Sequence, residues 1–185
     1  MDFTMPGLEL VETSRLVVRR LLPTDAPAYH GLMSDLRSDD RVKEFLGLGE
    51  LLTVDQYAAA IKAPKNRCFF AVVRKESSAF IGIAGFLPRQ CFLAPELYVW
   101  LAPDSWGQRL GPEAANALVN AAFRGQHCEV VIGIPHWKNA RSIKSLPKMN
   151  MKRCASVVDL VEVDPGVYVK GREHQFPIFS RHRNP

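Results

Sequence analysis

Residues 100–122 read W-L-A-P-D-S-W-G-Q-R-L-G-P-E-A-A-N-A-L-V-N-A-A, and no other stretch limits the fold of this chain as tightly. A strand ends, a short loop containing glycine follows, and an alanine-rich helix begins at once. The first four N–H groups of a helix have no partner within it, and the aligned peptide dipoles put partial positive charge there. Such an end suits phosphate. Pro112 fits the first helical position, where its missing N–H removes only a group without a helical partner. Ala114, Leu118, Ala121 and Ala122 follow the i, i+4, i+7, i+8 spacing of a buried stripe, with Glu113, Asn116 and Asn120 opposite. Small residues on that stripe let the helix lie close to a sheet.

Strands and helices alternate around this centre. Residues 15–21 form a strand rich in valine and leucine, broken by Pro23. Thr24 caps a helix running to about residue 34, with Pro27 still inside its first turn. Residues 42–46 suggest a short helix, 47–50 a loop and 54–62 a further helix. Residues 68–74 and 79–86 read as strands joined by the hairpin turn Lys75-Glu76-Ser77-Ser78. Along the strand 96–101, alternation places Leu97, Val99 and Leu101 on one face and Glu96, Tyr98 and Trp100 on the other, toward solvent or ligand. The apolar run 130–134 suits a buried strand. A helix over 138–148 should be ended early or distorted by Pro147. Strands at 157–163 and 175–179 flank a turn at Asp164-Pro165-Gly166, and the tail Arg181-His182-Arg183 is expected to fray. Strands before, between and after the helices imply one mixed α/β domain over residues 1–185, with helices on both faces of the sheet.

Composition narrows the function classes. No run approaches the ~18 apolar residues that span a bilayer, and residues 1–7 lack the pattern of a secretory signal. Cytoplasmic residence is the default expectation. Cys68, Cys91, Cys128 and Cys154 lie far apart, which argues against a zinc site or a disulfide scaffold. Cys128 and Cys154 read as small apolar residues. The net charge of +5 and pI near 9.2 fit a mildly basic surface or a basic face for a polyanion. Nucleic-acid binding would want a dense basic stripe with interleaved aromatics, and none is present.

W-G-Q-R-L-G-P-E-A resembles the acyl-CoA pyrophosphate loop of the GNAT superfamily of N-acetyltransferases, written Q/R-x-x-G-x-G/A. E-L-Y-V-W-L-A-P resembles the strand leading into it. E-T-S-R-L-V-V-R-R-L and N-A-R-S-I-K-S-L-P-K-M-N-M resemble the first strand and penultimate helix of the branch that acetylates ribosomal-protein N-termini. The likeness runs from about residue 12 to about residue 153. It implies a mostly antiparallel twisted sheet of six to seven strands, with a cofactor cleft between two splayed parallel strands. It also implies acetyl-CoA as cofactor, a primary amine as acceptor (a protein or peptide N-terminus or a small molecule) and no metal. A homodimer is compatible with it, and the helical region before residue 62 would form the acceptor wall. The sequence departs from the pattern at Trp106, which takes the first motif position, and at Arg109, which takes that of the middle glycine. Met149-Asn150-Met151 replaces an L-G-F ending, and Pro147 stands where Glu is common.

Carried over residue by residue, the resemblance assigns the phosphates to the loop Trp106, Gly107, Gln108, Arg109, Leu110, Gly111 and Pro112. It assigns the pantetheine arm to the backbone of Trp100, Leu101 and Ala102. A backbone N–H aimed at the thioester oxygen would stabilise developing charge. Glu96 is the candidate general base, acting through water, against the reading of an ion-paired surface carboxylate. The family's tyrosine proton donor falls at Leu146, so that route is absent. Asn139 and Ser142 match an N-x-x-S pattern instead. Ser142 is then the candidate for relaying a proton or holding the thiolate, against a solvated first-turn serine. Asn139 is a candidate contact to the cofactor arm, compatible with a helix cap, and His136 reads as structural. A non-catalytic CoA-binding or regulatory domain is the alternative, and a basic RNA- or ribosome-associated module is a third reading.

Overall fold

Period-two segments rich in β-branched and aromatic residues become the strands of one eight-stranded sheet. A computed structural model describes residues 5–43, 50–62, 68–87, 94–164 and 167–183, with backbone alone for 155–164 and 167–177. The strands are β1 (Leu10–Glu12), β2 (Leu16–Arg20), β3 (Cys68–Arg74), β4 (Phe80–Leu87), β5 (Glu96–Leu101), β6 (Val130–Gly133), β7 (Lys152–Asp164) and β8 (Val167–His182). Their order is β1-β2-β3-β4-β5-β6-β8-β7. Every neighbouring pair is antiparallel except β5 and β6, which run parallel. The strand beyond the expected six to seven is β1, three residues long and too short for a period-two signal.

The helices are α1 (Ala26–Ser38), α2 (Val54–Lys62), α3 (Leu110–Arg124) and α4 (Ala140–Ser145). Alternation along β3 sends Phe70 and Val72 into a core beneath α3, and Ala71 into a second core beneath α1 and α2. Helices therefore cover both faces. In β5, Leu97 and Leu101 join the first core while Tyr98 and Trp100 pack against the second, as the alternation requires. The expected stripe of α3 is fully inside: Ala114, Leu118, Ala121 and Ala122 are all buried.

Several local expectations are corrected. Pro23 opens a 3-10 turn over Pro23–Asp25, and α1 continues to Ser38 rather than residue 34. Asp25, not Thr24, secures that turn: its carboxylate accepts the Leu22 N–H at 2.8 Å and the forked Arg19 guanidinium at 2.7 and 2.8 Å. Pro112 is the third helical residue of α3, since Leu110 is the first, and the N–H it lacks is still one that no helical carbonyl would meet. Pro147 does interrupt its helix, because α4 ends at Ser145 and a 3-10 turn runs over Leu146–Met149. The tail does not fray: Val130↔His182 and Val131↔Arg181 are paired ladder positions. Cys154 is exposed on β7 rather than packed inside. Part of the 42–46 helix and of the Asp164-Pro165-Gly166 turn lies outside the described residues, as does Cys91.

Candidate active site

The two parallel strands meet at a single register position, Glu96↔Ile132, where the Ile132 N–H donates to Pro95 O at 3.0 Å. Beyond it they part. On an antiparallel pair, alternate residues direct both backbone groups toward the same neighbour. The Ala102 N–H donates to Ile81 O at 2.9 Å, so Ala102, Trp100 and Tyr98 turn their amides toward β4. Val99 and Leu101 therefore turn theirs into the gap left by β6. Of the three expected backbone positions, Leu101 faces the gap while Trp100 and Ala102 face β4, and Val99 faces the gap beside Leu101. The gap opens into a cleft of about 970 Å³, large enough for an extended ligand.

The first turn of α3 closes one end of this cleft. Gly111 sits against the Leu101 and Val99 side chains, which brings the helix start up to the strand edge. The loop before it turns through two left-handed residues, Gly107 at φ 79° and Arg109 at φ 62°. Arg109 thus adopts the backbone that a glycine would favour, and its exposed side chain lines the cleft. Trp106, Gly107, Leu110, Gly111 and Pro112 also line the cleft, whereas Gln108 is turned away. The Gln108 carbonyl accepts from Arg15 Nη1 at 3.1 Å, and its side chain is held by Arg74 at 3.1 Å and by Asp104 O at 2.9 Å.

Trp106 is a cleft wall with its own partners. Its indole N–H donates to Leu101 O at 2.8 Å. The guanidinium carbons of Arg41 and Arg141 lie 4.6 and 4.2 Å from its ring centroid, a cation–π arrangement on both counts. Arg41 in turn binds Asp39, whose carboxyl is drawn down to about 2 by hydrogen bonds from Arg41 and by the nearby Arg141 charge. Leu36 near the end of α1 and Arg41 just beyond it line the cleft, while no described residue of α2 does.

Glu96 is buried rather than solvent-facing, and lines the cleft where β5 and β6 separate. Asn139 and Ser142 also line the cleft. The Asn139 side chain accepts the Ser142 N–H at 3.0 Å and caps α4. Ser142 is half-buried there. Leu146 is buried against Gly133, and a Cβ at Gly133 would come within 2.9 Å of it. His136 accepts the Lys138 N–H on Nδ1 at 3.2 Å, stacks on Trp137 and lines the cleft. Burial first, and then the charge of Glu129, push the Cys128 thiol up to about 11, which leaves it unreactive at neutral pH. Among the described residues no cluster suits a metal ion. The lining is strongly cationic: Arg41, Arg109, Lys138, Arg141, Lys144 and Lys148 face it together with the single described carboxylate Glu96. The basic surplus of the sequence is thus partly a cleft property.

Sequence reasoning missed Arg15, Arg41, Arg141 and Arg181. Arg15 was visible only as part of a strand motif. Arg181 donates to Asn116 Oδ1 at 3.0 Å, Asn120 Oδ1 at 2.6 Å and Met149 O at 3.4 Å, and lies over Phe123. It ties the outer face of α3 to β8 and to the turn after α4.

Residues 15–152 match the family model of the GNAT acetyltransferase domain. Among curated proteins none matches the sequence. Solved structures with the same fold include a ribosomal-protein-S5-alanine acetyltransferase from Vibrio fischeri, with 16% identity and TM-score 0.75 over 95% of this chain and 97% of that one. RimL, a ribosomal L7/L12 alpha-N-protein acetyltransferase in complex with coenzyme A, has 13% identity and TM-score 0.75 over 94% and 98%. A GNAT-family acetyltransferase from Bacillus anthracis has 18% identity and TM-score 0.71 over 94% and 98%.

Proposed function

The chain belongs to the GNAT acetyltransferase domain family, and on that premise we propose that it is an acetyl-CoA-dependent N-acetyltransferase acting on a primary amine in a ternary complex. The acceptor is a protein or peptide N-terminus or a small-molecule amine. The observation that carries this reading is the cleft beyond Glu96↔Ile132, with a strand edge along one side and a helix start at its end. A polyanion with an extended amide-bearing arm fits those features. The amides of 107–111 and the Arg109 side chain would hold phosphates. Val99 and Leu101 would bind the arm as a neighbouring strand would.

Acetyl-CoA supplies the acetyl group as an activated thioester. Glu96 takes the proton that the acceptor ammonium must lose, through a water molecule, because a carboxylate is a weak direct base for an alkylamine. Ser142 offers a hydroxyl to the departing sulfur, held in place by the Asn139 cap. The side-chain NH₂ of Asn139 is the group proposed to meet the cofactor arm. Cytoplasmic residence, a single domain and assembly as a homodimer go with this reading. Among the described residues no helix is long and apolar enough to cross a membrane.

A second reading, a non-catalytic CoA-binding domain, is favoured by Leu146, which puts no hydroxyl where many family members carry one. Thiol release from acetyl-CoA, measured with peptides, amino sugars, polyamines and amino acids, separates the two. Amine-dependent release supports the transferase. Binding of acetyl-CoA without release from any amine supports the second reading.

A further inference from the structure

We infer that Arg15 is the positioning residue of the 106–112 loop: it holds the Gln108 carbonyl from behind and so turns the Arg109 N–H into the cleft. The inference rests on the reading of this loop as the cofactor's phosphate site.

The argument begins with Glu113, in the first turn of α3. Its carboxylate accepts from Arg15 Nε at 2.7 Å, from Arg15 Nη2, from the Arg15 backbone N–H at 3.2 Å and from Thr13 Oγ1 at 2.5 Å. Burial pushes the Glu113 carboxyl up, and these bonds outweigh it, leaving it below its ordinary range. With two arms pinned on Glu113, the guanidinium reaches the Gln108 carbonyl with Nη1 at 3.1 Å. A trans peptide directs its C=O and its N–H oppositely. Fixing the Gln108 C=O on the Arg15 side therefore sends the Arg109 N–H the other way, toward the side where Gly107 and Arg109 line the cleft. The same peptide plane sets φ of Arg109, which is 62°.

Glycine would take that conformation unaided, since it populates positive φ about as readily as negative φ. Arginine needs it imposed. Arg15 is thus a compensation for Arg109: the chain keeps the loop shape without the glycine. Arg15 also neutralises the Glu113 carboxylate, which would otherwise repel an anion at this helix start.

The test is a cycle of Arg15→Ala, Arg109→Gly and the double variant, read by calorimetric titration with coenzyme A. Loss of the hold on a left-handed arginine predicts that Arg15→Ala weakens coenzyme A roughly tenfold. In the Arg109→Gly background the same change should cost no more than about twofold, because glycine needs no hold. Arg15→Lys, which keeps the charge but not the fork, should fall between. Equal losses in both backgrounds, or none in either, would overturn the proposal. A ligand-free arm keeps it separate from the cofactor reading: backbone chemical shifts and the HN–Hα coupling of Arg109 report φ. A left-handed Arg109 in wild type that is lost in Arg15→Ala supports the proposal, and one retained in Arg15→Ala overturns it. Wild type that binds no coenzyme A refutes the cofactor reading while the φ measurement still decides the role of Arg15.

Discussion

A non-glycine residue in the left-handed region costs about 1–2 kcal/mol, and Arg109 sits there at φ 62°. Replacing it with glycine removes that strain but loosens the unfolded chain by ~0.4–1 kcal/mol. Arg109→Gly is therefore expected to raise unfolding free energy by about 0.5–1 kcal/mol, measured by urea denaturation. Coenzyme A affinity should fall nonetheless, because a charge-assisted donor is lost. Glu96 gives a second prediction at this scale. Glu96→Gln keeps the shape but cannot take a proton, so turnover should fall at least tenfold while the cofactor dissociation constant stays nearly unchanged. A wild-type rate across the pH range would remove Glu96 from the mechanism. The face that Glu96 occupies was legible from alternation along 96–101. Its burial was not, because burial depends on what packs over the strand.

Elements were read where a period reveals them. The α3 stripe, the β5 alternation, the turn at 75–78 and the break at Pro147 all follow from local chemistry. Attachments between elements were not read, since Arg15 and Glu113 lie 98 positions apart and Arg181 and Asn120 lie 61 apart. No local pattern marks such pairs. The polar positions Asn116 and Asn120, assigned to an outer face of α3, accept Arg181 there. Burial pulls the Arg181 guanidinium below its ordinary range, which makes its acceptors matter. Arg181→Ala should lower stability by about 2–3 kcal/mol, as expected when hydrogen bonds to a charged donor are lost. In a chain of this size that corresponds to a Tm drop of roughly 4–12 °C. Because the same side chain fixes α3 against the turn after α4, cofactor affinity should drop as well. A Tm within about 1 °C of wild type would show that the network contributes little.

Across the whole molecule, charge is the property that sequence and structure place differently. Composition gives a surplus of +5, and the fold gathers six cations around one cleft. The carboxylates Asp25, Asp39 and Glu113 all sit below their ordinary values. A carboxylate with a depressed folded pKa contributes stability above its unfolded pKa, and that contribution is lost as pH falls through the folded value. Urea midpoints should therefore be flat above about pH 5 and fall below about pH 4. Glu113→Gln should make the fall shallower. The claim that organises all of this is that the β5–β6 cleft is an acyl-CoA site. Calorimetric titration of the purified protein with acetyl-CoA tests it most directly. Saturable one-site binding that weakens as salt is raised is the expected result, since phosphates meeting exposed cations are screened. No heat and no thermal shift at millimolar acetyl-CoA would contradict it.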